Sequence, residues 1–416
     1  MTVSLEVRPG TGGDAAPLAA SDARTMSQMA TGPARTVASA HPSRRHGLLR
    51  DLERPGDVFA QLGPNWFASV MGTGIVATAA ADLPVQWPGL HGFAVTVWVL
   101  SALLLITLAS AEVVLWTRHR SAARGHARNP VMVQFYGAPP MALLTVGAGA
   151  LLVGPSLIGV HAAITIDAVL WPLGTITGLA SSLAVPFLMF TRWRAAPDAA
   201  FGGWLMPVVP PMVSAATGAL LIPHLPAGQL RLTMLLACYG MFGLSLFASL
   251  VVITQLWQRL VRYPAGPAAL VPTLWIVLGP LGQSITAANL LGGVASLALP
   301  PPYSTAFAAF GVVYGVPVWG FAALWAGLAA ALTVRAARQR LPFSLTWWSF
   351  TFPIGTCVTA ASGLAVHTGA DAFRWAAVAL YLALVAAWAV VGARTARGAW
   401  RGHLFLPPPQ ERALPS

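Results

Sequence analysis

Ser349, Phe352, Thr356 and Thr359 fall at i, i+3, i+7 and i+10 of an uncharged run from Leu341 to Val366, LPFSLTWWSFTFPIGTCVTAASGLAV. That spacing puts them on one face of a helix. The face is hydroxyl-bearing except for one large ring, Phe352, beside Pro353 deep in the run. The chemistry open to such a face is solvation. Hydroxyls and backbone groups freed by a proline replace water around a passing ion, and a ring among them closes the path. A buried helix–helix seam uses small and hydroxyl residues as well. This run alone leaves both readings open.

Four other runs carry the same mixture. PNWFASVMGTGIVATAA places Asn65, Ser69 and Gly72 on one face, with Thr73 and Gly74 beside them. A run beginning at Ala138 has Pro139, Pro140, Thr145, Gly147 and Gly149. The run from Trp204 has Pro207, Pro210 and Pro211, then Ser214 and Thr217, and GPLGQSITAANLLGG has Pro280, Gly282, Gln283, Thr286 and Asn289. Helices broken by Pro and Gly expose backbone groups that need a cavity or a partner. Five of them in alternation with smoother runs point to the lining of a central path. The expected lining is Asn65, Ser69, Gly72, Thr73, Pro140, Thr145, Pro210, Pro211, Ser214, Thr217, Pro280, Gln283, Thr286, Ser349, Pro353, Thr356 and Thr359, with Phe352 closing it.

The elements that would hold these residues are membrane helices. The 416 residues are 56% hydrophobic and 9% charged, against about 25% charged in ordinary soluble domains. Ten apolar runs span roughly Pro64–Ala81, Gly92–Trp116, Ala138–Val153, Ala162–Phe190, Trp204–Ile222, Leu232–Trp257, Leu270–Leu297, Ser304–Val334, Pro342–Val366 and Ala372–Val391. The odd runs start about 70 residues apart, and short loops follow them, so the chain reads as five repeated helical hairpins. Arginines follow the even runs: Arg118 to Arg128, Arg192 and Arg194, Arg259 and Arg262, Arg335 to Arg340, and Arg394 to Arg401. After odd runs there are only Arg231 and Arg374. The positive-inside rule then places both termini in the cytoplasm of a multi-pass protein of the cell (inner) membrane.

The net charge of +12 is carried by arginine, with no lysine anywhere. Its placement at loops speaks for orientation in a bilayer and against nucleic acid. No Arg, Lys, Asp or Glu falls on the expected lining, so a proton relay or cation site, which would need carboxylates at depth, is not indicated. Backbone N–H groups and helix dipoles favour anions, and cytoplasmic arginine concentrates anions at that mouth. Glu112 and Asp167 lie within even runs near their ends and read as interfacial. His91, His161, His224 and His367 fall at outer loops and lack metal-ligand spacing, and Cys238 and Cys357 suggest neither disulfide nor metal. Neither a His/Glu metal pair nor a Ser/His/Asp set falls at membrane depth. No cofactor and no catalysis are expected.

At PNWFASVMGTGIVA, with Met71-Gly72-Thr73-Gly74, and at WWSFTFPIGT, the chain resembles the tellurite-resistance/dicarboxylate transporter family, which includes slow-type anion channels, malate carriers and sulfite pumps. The likeness covers about Gln61 to Val391, and the first motif most resembles the malate and sulfite branch. The resemblance implies a homotrimer whose protomers each hold a pore, five proline-kinked inner helices within five outer ones, and a phenylalanine on the ninth helix blocking the conduit. Phe352 matches that phenylalanine; Phe350, close by, falls off the hydroxyl face.

The expected fold is therefore an all-α membrane protein of ten transmembrane helices, five hairpins around a central pore. A disordered cytoplasmic tail is expected over 1–60, the transport domain over 61–397 and a second tail over 398–416. The expected activity is transport of small anions, either a C4-dicarboxylate such as malate or sulfite/tellurite-type oxyanions. A non-selective chloride/nitrate channel is the alternative, and a membrane scaffold or sensor without transport is the reading from another class.

Overall fold

In the computed structural model, residues 49, 52 and 56–406 are described. Most of both expected tails lies outside them. The described part is nearly all helix and contains no strand. Ten helices of twelve residues or more follow in order: α1 Phe67–Ala81, α2 Leu90–Arg118, α3 Ala138–Leu152, α4 Val160–Arg192, α5 Pro210–Leu221, α6 Gln229–Arg262, α7 Leu278–Val294, α8 Tyr303–Arg338, α9 Phe352–Thr368 and α10 Asp371–Arg401. Eight helical stretches are long and apolar enough to cross a membrane. The exceptions are α1 and α5, whose α-helical parts have 15 and 12 residues. A lone helix needs about 20 to cross a bilayer.

Packing divides the helices into two sets. The five odd helices pack in a closed ring, α1 on α3, α3 on α5, α5 on α7, α7 on α9 and α9 back on α1. Each even helix packs on its preceding odd helix and on the next one round the ring. Burial follows. The apolar windows of Met132–Leu152, Ala268–Leu297 and Leu345–Thr368 are 67–78% buried, and those of the even helices only 17–33%. Helices α1 and α5 are buried along nearly their whole length, so protein surrounds them.

The prolines of the odd helices do not stand inside continuous α-helix, as the sequence suggested. A 3₁₀ segment leads into α1 (Pro64–Trp66), α3 (Met132–Gly137), α7 (Ala268–Val277) and α9 (Leu345–Phe350), and another (Gly202–Leu205) lies upstream of α5. Pro139, Pro140, Pro210, Pro211 and Pro353 then occupy the first turn of their α-helices. A missing N–H costs nothing there, and the fixed φ suits the helix start. Interior prolines occur instead in even helices: Pro172 and Pro186 in α4, Pro317 in α8. Pro211 still leaves the carbonyl of Pro207 without its usual donor, and the hydroxyls of Ser181 and Ser182 on α4 donate to it at 3.2 and 2.7 Å.

The last helix also outruns the apolar pattern. It continues past Val391 to Arg401, and Phe405 beyond it stacks on Trp66, ring centroids 4.9 Å apart.

Candidate functional site

Two cavities lie within the ring of odd helices, each with about 450 Å³ of empty space including its open side. The first is walled by Ile75 and Thr78 of α1, Thr145, Ala148 and Leu152 of α3, Val213, Ala216, Thr217 and Leu220 of α5, Gln283, Thr286 and Leu290 of α7, and Phe352 and Thr359 of α9. Asp82, just after α1, completes it. The second lies where these helices begin. Its walls include Ala68 and Met71 of α1, Met141 of α3, Met206 and Val209 before α5, Ile276 and Gly279 around the start of α7, and Leu345, Trp348, Ser349 and Pro353. Among the described residues Phe352 is the one common to both walls, and it is 3% exposed.

The helices explain this placement. All five odd helices contribute their starts to one cavity and their later turns to the other, so they run in the same direction. Five helix N-termini gather around the second cavity, and partial positive charge gathers with them. The arginine-rich segments lead into α3, α5, α7 and α9 at that same end. The field along the ring thus favours an anion.

The first cavity offers few hydrogen-bond donors that are not already committed. Thr145 donates to the carbonyl of Met141 at 2.7 Å, Thr217 to Val213 at 2.9 Å, Thr286 to Gly282 at 3.1 Å and Thr359 to Thr356 at 3.1 Å. The hydroxyl oxygens of Thr286 and Thr359 also lie 2.7 Å apart across α7 and α9, so whichever of the two donates to the other does so in place of its own backbone bond. Each hydroxyl has one proton, so turning it to an anion gives up a bond worth about 1 kcal/mol net. Gln283 differs: its buried amide bonds no other described residue and faces the same space.

Of the residues expected on a lining, Thr145, Thr217, Gln283, Thr286 and Thr359 border the first cavity, Ser349 and Pro353 the second, and Phe352 both. Others turn to neighbouring helices. Thr73 accepts from the Trp388 indole at 3.1 Å, and Ser69 donates to the carbonyl of Trp66 at 2.7 Å; both edge a lateral groove beside α2 and α10. Gly72 lies against Thr351 and Trp348, where a Cβ would collide. Ser214 accepts from Thr175 at 3.0 Å, and Pro140 and Pro210 pack near Gly178, all toward α4. Thr356 donates to the carbonyls of Pro353 and Leu278 at 2.7 and 3.2 Å, in the seam between α7 and α9. Asn289 donates to Gly311 of α8 at 3.4 Å. Asn65, Pro211 and Pro280 border neither cavity; Asn65 is half-buried and the two prolines are buried. Phe350 sits edge-on to Trp275 and Trp347 in a cluster away from both.

One correction concerns charge. Asp82 borders the first cavity, although no acid was expected on any lining. It follows the first apolar run and so escapes a search confined to runs. Thr78, three residues after Ile75, was legible from helical spacing. The methionines of the second cavity carry no signal that separates them from core.

Residues 61–396 match the voltage-dependent anion channel family. The chain is 28% identical over 365 residues to an uncharacterized transporter of Methanocaldococcus jannaschii, an alignment that takes in 86% of this chain and 99% of that one. It is 28% identical over 351 residues to a protein of Arthroderma otae named a sulfite efflux pump, covering 82% of this chain and 92% of the relative. A Candida albicans protein of the same name is 22% identical over 325 residues, 72% of this chain and 65% of the relative. With the match running from before α1 into the last turns of α10, the chain belongs to the voltage-dependent anion channel family, whose members transport anions.

Proposed function

We propose that this protein conducts small oxyanions of the sulfite type across the cell membrane, along the axis of the odd-helix ring, and that Phe352 closes the path. The observation that carries this reading is the position of Phe352 as the shared wall of two cavities at opposite ends of that ring. All ten helices cross the bilayer in this reading, α1 and α5 as short inner crossings, with both termini cytoplasmic. The second cavity then opens to the cytoplasm at the arginine-rich end, and Asp82 marks the outer mouth.

Sulfite is placed ahead of malate for two reasons. Relatives of matching length are named sulfite efflux pumps. Among the described residues no Arg or Lys borders either cavity, so the second carboxylate of a dicarboxylate would find no cation to pair with. The same lack of a cation keeps a weakly selective chloride/nitrate channel as the second reading. Flux into liposomes holding purified protein separates them, with sulfite, malate and chloride compared. Saturable sulfite flux that exceeds chloride flux supports the first reading. Equal, unsaturable flux of all three supports the second, and no flux of any anion refutes both.

A further inference from the structure

Asp82 follows α1 in the turn toward α2, and it is the one ionisable side chain among the residues walling the first cavity. Its carboxyl makes no hydrogen bond or ion pair with another described residue. The turn around it is well held. The Asp82 N–H donates to the carbonyl of Thr78 at 3.2 Å, and the Gln86 amide donates to the carbonyls of Ala80 and Leu83 at 3.0 and 2.9 Å. The residue caps the C-terminal end of α1, where backbone carbonyls disfavour a negative charge. The raising of the carboxyl well above the usual carboxylate range comes from burial at the cavity wall.

Among the described residues no charge offsets these effects. Helices α3, α5 and α7 carry no ionisable side chain. On α2, His91 shares a hydrogen bond of 2.9 Å with Ser156. At the end of α9, His367 bonds to the carbonyl of Gly363 at 2.9 Å. At the start of α10, Asp371 pairs with Arg374 at 3.0 Å. Further into the helices packed on α1, Tyr381 on α10 donates to the carbonyl of Val76 at 3.3 Å, and Cys357 on α9 is buried. Glu112 on α2 accepts from the Trp116 indole, and Arg118 of α2 and the arginines of α10 other than Arg374 lie in the last turns of their helices.

We propose that Asp82 is the charge filter of this mouth: ionised it repels anions from the cavity, and protonated it donates its O–H to the entering anion. The anion thus meets a neutral donor at Asp82 and a second at the Gln283 amide. The proton comes from water at the mouth and stays on the carboxyl while the anion passes. This inference rests on the conduit reading above.

The test uses chloride, which does not titrate, so any pH dependence belongs to the protein. Full-length protein in liposomes, with equal pH on both sides, is measured from about pH 5 to about pH 9, bracketing the raised carboxyl. Wild type is expected to lose at least about tenfold in flux as pH rises, a barrier change of about 1.4 kcal/mol. Asp82→Asn is expected to keep the acid-side rate throughout. Asp82→Ser, which removes the charge with a smaller side chain, is expected to do the same, so the result does not hang on one variant folding. A wild-type profile retained in both variants, or a wild-type flux that does not vary with pH, overturns the role of Asp82. Absence of both chloride and sulfite flux in all three proteins instead removes the conduit reading on which it rests.

Discussion

Replacing Phe352 by alanine removes the one side chain that walls both cavities. The size of the effect follows from what an anion must do to pass the intact ring. Phe352 is 3% exposed and stands in the first turn of α9, with Pro353 after it. Its backbone is therefore poorly able to yield, and the side chain itself must swing. Turning a buried ring about 30° off its rotamer costs roughly 0.5–1.5 kcal/mol. Pressing it into neighbours of native density adds about 1–3 kcal/mol. The sum of about 1.5–4.5 kcal/mol corresponds to a gain of roughly tenfold to a thousandfold in flux when the ring is gone. Buried Phe→Ala changes cost about 3–5 kcal/mol of stability. The assay is vesicle flux of chloride and sulfite beside size-exclusion and thermal-melting profiles in detergent. Flux no faster than wild type from Phe352→Ala protein that elutes and melts as a folded species removes Phe352 from the gate.

Other outcomes follow from the same geometry. Gln283→Leu removes an amide with no partner among the described residues, so its melting temperature stays at the wild-type value. Flux falls about tenfold to a hundredfold, as befits a hydrogen bond to a charge of about 1.5–3 kcal/mol; unchanged flux refutes the amide's role. Gly72→Val forces a side chain into Thr351 and Trp348 and is expected to cost about 1–3 kcal/mol, read as a lower melting temperature. Gly147→Ala drives a Cβ into the fully buried carboxylate of Asp167 on α4. Its cost of about 1–3 kcal/mol is expected to shrink when combined with Asp167→Ala, and a thermal-stability double-mutant cycle with no coupling rejects that contact. Flux through Asp82→Asn liposomes is expected to be independent of pH, whereas wild type slows as pH rises.

Much of the layout was legible before any coordinates. Uncharged runs of membrane length, arginines after every second run, and Pro/Gly with hydroxyls in the alternate runs give a helical membrane protein with two sets of helices. The reason is local: hydropathy, charge placement and helix period are properties of neighbouring residues. What escaped was local as well in part. Proline blocks an α-helix but does not say on which side the helix resumes, and here 3₁₀ segments carry the chain to prolines that open α-helices.

The lumen itself was decided by tertiary structure. A helical wheel gives each odd helix one hydroxyl-bearing face, yet in a ring that helix has two ring neighbours, outer helices behind it and the cavity in front. Thr73, Ser214 and Thr356 spend their hydroxyls on those neighbours and Ser69 bonds one turn back in its own segment, while Thr145, Thr217, Thr286 and Thr359 meet the cavity. Both groups look alike in sequence. Asp82 carries the same lesson, since a turn residue acquires a place on the wall only when five helix ends converge beside it. Sequence thus determined the bilayer, the orientation expected of the chain and the sign of its cargo. Which side chains meet that cargo depended on how the five odd helices rotate against one another, because that rotation assigns each polar face to a seam or to the open space.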